Sequence, residues 1–232
     1  MIDVRPFDKL GAFANDWLDT RYHFSFSHYH DPERMGLGRL RVWNDDAVAA
    51  GRGFDPHPHR DMEIITYVRS GAISHRDSLG NHGKTSAGEV QVMHAGTGIT
   101  HAEYNEGTEP VSLFQIWILP DRAGAKPGWA TRHFPQSGGL AVLASGRPSD
   151  ADTGALSLNA DAAVVAGTLA PGETVRRHLG AGRAAYLVAA SGSVRVNGVT
   201  IDTRDGAAIT NEDDLVITAN DTAELVLVDV AA

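Results

Sequence analysis

Twenty-five glycines and ten prolines, scattered at short intervals through 232 residues, cut this chain into segments too brief for long helices. The pieces between them are rich in β-branched and aromatic residues: 63–68 (EIITYV), 90–93, 111–119 (VSLFQIWIL), 194–196 and 225–230 (LVLVDV). Short strands at this spacing predict an all-β protein, a sandwich or barrel. No segment carries a long amphipathic pattern, and short helices are expected only near 12–19 and within the Pro/Gly-rich stretch 120–130. Across 131–160 apolar content thins while Gly, Ser, Asp and Pro gather (QSGG, ASGRPSDADTG). That composition predicts a junction between two units, 1–135 and 136–232, and the length suffices for each to bury its own core.

A weak internal repeat links the two units. His57 lies 14 residues before Gly71, and Gly88 opens GEVQVM; His178 lies 14 residues before Gly192, and Gly206 opens GAAIT. In that register Gly180 and Ala184 take the places of His59 and Glu63. Counting 13 and 15 onward from the strand-opening glycines gives His101 and Glu103 in the first copy, and Ala219 and Asp221 in the second. The expectation is two related barrels, of which only the first is equipped for a metal.

Charge and cysteine content narrow the function. A formal net charge of −9 without any basic run disfavours direct nucleic-acid binding, since phosphate neutralisation needs clustered Lys and Arg. There are no cysteines, which excludes disulfides and thiolate metal sites. Residues 1–10 contain Asp3, Arg5, Asp8 and Lys9 and no apolar core of a signal peptide, and no stretch approaches the roughly 20 apolar residues of a membrane span. The expectation is a cytoplasmic protein without a membrane partner.

Two short phrases carry the chemistry, His57-Pro58-His59 and His101-Ala102-Glu103. Side chains alternate along a strand, so each phrase aims both of its ligand-type groups at one face. Three imidazoles and one carboxylate suit an octahedral Fe(II), Mn(II), Ni(II) or Co(II) with about two positions open for water or substrate. Glu63, four residues after His59, would share that face on a regular strand. It competes with Glu103 as fourth ligand, or else orients an imidazole from behind.

Several phrases together resemble the pirin family of the cupin superfamily. Gly51-x5-His57-x-His59-x3-Glu63 followed by Gly71 is similar to the first cupin motif, and Gly88 to His101 to a diverged second one. HPHRDMEIITYV, HRDSLGN, AGTGITHAEYN, FQIWILP and the early run HFSFSHYHDPERMGLGRLRVWNDD look like pirins more closely than like cupins at large, especially bacterial pirin-like quercetin 2,3-dioxygenases. The resemblance implies a bicupin fold with one divalent metal, iron before Mn, Co, Ni, Cu or Zn. Its ligands would be His57, His59, His101 and Glu103, with Glu63 not a ligand. One departure is His94, where a smaller Ser or Thr is expected; it reads as a surface histidine or a residue tuning the metal loop.

The activity implied is cleavage of a flavonol such as quercetin by O2 with release of carbon monoxide, Glu103 acting as catalytic base. Phe26, Met35, Phe54, Met93 and Phe114 are candidate walls for the flat substrate, each also readable as plain core, and His75 and Arg76 are candidate polar groups or a solvated strand end. Two alternatives stay open: another cupin enzyme acting on a phenolic or enolisable compound, and a metal-binding regulator working through a protein partner. No second metal is expected, since His178 alone does not assemble a site.

Overall fold

The computed structural model of the protein describes residues 1–134 and 139–232. The boundary expected at 135/136 falls on residues outside that set. Strands dominate and form four sheets among the described residues. In the first half, a seven-stranded sheet runs in the order Gly128–His133, Glu89–His94, Glu63–Ser70, Val111–Ile118, Leu40–Val48, Leu18–Tyr22, Gly11–Ala14. A four-stranded sheet, Gly53–His59, Ile99–Tyr104, Ala72–Asp77, His82–Ser86, completes that barrel.

The second half repeats this topology. Gly206–Thr210, Arg183–Ser191, Ala223–Ala231 and Ala162–Leu169 take the places of Glu89–His94, Glu63–Ser70, Val111–Ile118 and Leu40–Val48. Thr174–His178, Asp214–Ala219, Val194–Val196 and Val199–Ile201 repeat the small sheet. The protein is thus all-β, built as two barrels of one pattern. One strand crosses over: Ile2–Arg5 pairs with Gly206–Thr210, so the chain's first strand completes the large sheet of the second half.

Burial explains why the large sheets read as unbroken apolar runs instead of alternating ones. Ile65, Phe114, Ile116 and Ile118 from one large sheet share a single core with Val164, Tyr186, Val226 and Val228 from the other. Their neighbours Ile64, Val68, Leu113 and Trp117 face the interior of the first barrel. A sheet covered on both sides needs apolar residues on both faces. The interior of the second barrel is filled by Val165, Leu187, Val194, Ile217, Leu225 and Leu227, whereas the first keeps Thr66, Gln91, Glu103 and Gln115 inside.

Three expectations need correction. Residues 12–19 form no helix: Gly11–Ala14 and Leu18–Tyr22 make an antiparallel hairpin. Asn15 Oδ1 accepts the backbone N–H groups of Trp17 and Leu18 at 2.9 and 2.8 Å, a local bond that favours a turn over a helix. Residues 120–127 form turns leading into the strand Gly128–His133, and the helical segments among the described residues are single 3-10 turns, Phe7–Lys9 and Pro148–Asp150. The repeat register also slips. His57 pairs with His101, but His178 pairs with Asp214, upstream of the Ala219 reached by counting, because both the strand Gly206–Thr210 and the loop 211–213 are shorter than their counterparts Glu89–His94 and 95–98, and Asp214 opens its strand where His101 stands third. Among the described residues, no helix is long and apolar enough to cross a membrane.

Candidate metal centre

His57 and His59 project from Gly53–His59, and His101 from the adjacent strand Ile99–Tyr104, with His101 opposite His57 and Ile99 opposite His59. The alternation of strand side chains puts all three imidazoles on the inner face. Their ring centroids lie 4.4 Å apart for His57–His101, 4.8 Å for His57–His59 and 5.0 Å for His59–His101. One nitrogen from each falls within 4.8 Å of the others. A bulge puts one extra residue on Gly53–His59 opposite the step from His101 to Glu103, while Ile99–Tyr104 itself stays regular against Ala72–Asp77, so Glu103 keeps the face of His101 one step deeper in the barrel. Glu103 lines the same cavity and also falls into a second close grouping, with His75 and His101.

Glu63 joins neither grouping. The parity argument that put it beside His59 fails because the strand ends at His59, Asp61 adopts a left-handed φ of 48°, and the chain restarts at Glu63 in the other sheet. There its buried carboxylate meets His94 Nδ1 at 2.6 Å and accepts from the Asn159 backbone N–H at 3.0 Å and Nδ2 at 3.3 Å. His94 is therefore no surface histidine: it helps tie the first half to the second.

The donor set fits a divalent ion. Burial, reinforced by His101 and His57, holds the His59 imidazole down to about 4, and burial, then His57 and His75, holds His101 down to about 3. Both rings are neutral near pH 7, with lone pairs available. His57 Nδ1 donates to the Asp55 carbonyl at 2.7 Å, which leaves Nε2 bare. His101 Nε2 is buried with no hydrogen-bond partner among the described residues. Such an orphaned atom calls for a partner of its own.

Glu103 is held by two amides: Gln91 Nε2 donates to Oε1 at 2.7 Å and Gln115 Nε2 to Oε2 at 2.6 Å. Gln91 is itself fixed by the Trp129 indole N–H, which donates to its Oε1 at 2.8 Å. The cavity in front of these groups measures about 380 Å³, within the range of small-molecule sites (roughly 300–1,000 Å³). Trp17, Phe26, Phe54 and Trp117 give it apolar walls, and Asn44, Asp46 and Gln115 a polar floor. Burial, together with the nearby Asp45 and Glu103, pushes the Asp46 carboxyl up to about 7.

Of the expected walls, Phe26 and Phe54 are in place. Phe114 belongs to the core on the opposite face of its sheet, Met93 is a core residue inside the first barrel, packed with Ile64 and Trp117 and not among the cavity's lining, and Met35 is 43% exposed. Arg76 and His75 line a neighbouring cavity of about 480 Å³, and His75 is buried, not a solvated strand end. Gln91, Gln115, Asp46 and Trp117 were not singled out in the sequence. Their inward parity becomes legible only once the large sheet is known to be covered on both faces.

Comparison with known proteins agrees with this architecture. The family model described as Pirin matches residues 4–118, and that of the quercetinase C-terminal cupin domain matches residues 142–230. A pirin-like protein of Caulobacter vibrioides is 55% identical, covering 100% of both chains. The quercetin 2,3-dioxygenase of Escherichia coli is 41% identical, covering 99% of this chain and 98% of its own. The crystal structure of the Escherichia coli bacterial pirin YhhW in complex with nickel(II) superposes with a TM-score of 0.94 at 40% identity, covering 100% of this chain and 99% of that one.

Proposed function

Starting from a chain that belongs to the pirin family, we propose that it is a metal-dependent dioxygenase that opens the heterocyclic ring of a flavonol such as quercetin with O2 and releases carbon monoxide. The observation that carries the reading is the convergence of three imidazoles on one face of an apolar-walled cavity that also holds a carboxylate. In this reading His57, His59, His101 and Glu103 hold one divalent ion, iron ahead of its neighbours. Residues 1–135 form the metal-bearing unit, and 136–232 a companion barrel whose interior is filled.

The ion supplies Lewis-acid charge that makes the flavonol 3-hydroxyl more acidic. Glu103 takes that proton, and the clamp of Gln91 and Gln115 keeps its carboxylate aimed while it does so. Trp17, Phe26, Phe54 and Trp117 bury the flat rings and keep bulk water from the reacting carbon. The names of the relatives and the nickel complex of a neighbour support the substrate class and the presence of a transition metal.

The test is oxygen uptake with quercetin on protein stripped of metal and reloaded with Fe, Mn, Co, Ni or Cu, beside His59→Ala. The expected outcome is metal-dependent uptake that His59→Ala loses together with metal occupancy. Full-rate degradation by metal-free protein contradicts the proposal. No uptake with any ion, despite confirmed loading, moves the reading to another phenolic or enolisable substrate, or to a partner-binding role.

A further inference from the structure

Another histidine stands behind the three imidazoles. His75 lies on Ala72–Asp77, the strand hydrogen-bonded to the one that carries His101. Its side chain is fully buried and stacks on the Trp129 indole, ring centroids 5.1 Å apart and planes 11° from parallel. The two ring nitrogens of His75 meet different partners: Nδ1 lies 3.4 Å from His101 Nδ1, and Nε2 lies 3.1 Å from Asp77 Oδ2. Asp77 also accepts the backbone N–H groups of Leu79 and Asn81 and the Asn81 side-chain amide, so its carboxylate is held in place.

The proton positions follow by elimination. A carboxylate only accepts, so the hydrogen of the His75–Asp77 bond sits on His75 Nε2. A neutral His75 then has a bare Nδ1, which is an acceptor. Two bare nitrogens facing one another would repel, so the hydrogen between the rings belongs to His101 Nδ1. That leaves His101 with a bare Nε2, the buried atom that has no partner among the described residues.

We propose that Asp77 and His75 form a relay that locks His101 in its Nδ1–H tautomer and so presents Nε2 to the metal. His75 is a positioning residue, acting through His101 and not on the substrate. This also accounts for the second close grouping of His75, His101 and Glu103: it is a hydrogen-bonded support and not a second ligand set. The inference rests on the metal site proposed above, and the experiment separates the two.

Co(II) is titrated into the stripped full-length protein in competition with a chromophoric chelator, and His101 nitrogen protonation is read from imidazole 15N–1H correlation spectra. His75→Phe keeps a flat ring on Trp129 but loses both hydrogen bonds; His75→Asn restores an acceptor near the place of Nδ1. Partners behind a ligating histidine typically matter by 10–100-fold in metal affinity. The expected result is a loss of about that size in His75→Phe with far-UV circular dichroism unchanged, partial recovery in His75→Asn, and a hydrogen on His101 Nδ1 in the wild type and His75→Asn that His75→Phe loses. If His75→Phe binds Co(II) as tightly as wild type while His59→Ala does not bind it, the relay is wrong and the metal site stands. If the wild type does not bind Co(II), the metal site falls and the relay with it.

Discussion

The buried histidines are the residues whose environment departs furthest from water, and His23 gives the cleanest consequence. Its ring is fully enclosed, with Nδ1 bonded to the Tyr186 hydroxyl at 2.9 Å across the interface of the two halves. Burial, aided by Arg34 and Arg204, lowers its pKa from 6.5 to about 3. The folded protein therefore binds this proton less readily than the unfolded chain. His23 contributes its full stability above pH 6.5 and loses it progressively as pH falls from there toward 3. Between pH 6.5 and 5 the loss amounts to about 2 kcal/mol. Asp46 works in the opposite sense: burial raises its folded pKa to about 7, so its contribution is present at low pH and fades as pH rises through 7. The expected outcome is that His23→Asn flattens the acid side of the urea-denaturation stability profile of metal-free protein, whereas Asp46→Asn steepens it. A His23→Asn profile that parallels the wild type between pH 5 and 6.5 contradicts this account.

At the scale of elements, the turn before the Ile99–Tyr104 strand sets where His101 arrives. Gly96 has φ +44°, and a Cβ there would lie 2.0 Å from the Ala125 carbonyl oxygen. Its own carbonyl accepts the Asp61 N–H at 2.9 Å, and Thr97 N–H donates to Ala125 at 2.9 Å. One glycine thus brings together the segment after His59, the segment before His101 and the loop at 125. Gly96→Ala is expected to cost about 2 kcal/mol or more and to lower metal affinity as well, measured by chemical denaturation and metal titration; wild-type stability would refute the packing argument. This element also shows what the sequence makes legible. The AGTG phrase, the strand-opening glycines and the His-x-His spacing declare turns and parity locally, so the sheet that carries His57, His59, His101 and Glu103 can be read from them. Glu63 could not be placed by parity, because Asp61 breaks the strand with an unexpected left-handed residue. His75 was legible only as a pocket polar group or a solvated strand end, and Asp77 not at all, because their role depends on the neighbour that strand pairing brings. The hairpin at 12–19 was hidden by a helix-compatible composition that Asn15 overrides.

The whole molecule is held by contacts that span its halves. Asp45 is buried and accepts from Arg69 on its own side and from Arg204 Nε, at 2.6 Å, on the other. Together with the shared apolar core and the crossing strand Ile2–Arg5, this predicts one cooperative unfolding event. All four tryptophans lie in the first half, so their fluorescence reports that half and, through Trp43 packed on Tyr186, its seam with the second, while far-UV circular dichroism reports both halves. The two transitions should coincide, and Asp45→Ala should shift them together by about 3 kcal/mol, since removing one partner of a buried pair strands the others. Separate midpoints would show that the halves fold independently. The same architecture argues for placing the proposed chemistry in the first barrel: it keeps a polar interior and an open cavity, whereas aliphatic side chains fill the second. That claim meets its most direct test in a turnover of quercetin under 18O2 by metal-loaded protein, following carbon monoxide and the mass of the organic product. The account predicts one carbon monoxide for each O2 consumed and both labelled oxygens in the ring-opened product. Hydrogen peroxide with an intact carbon skeleton and no carbon monoxide would contradict it.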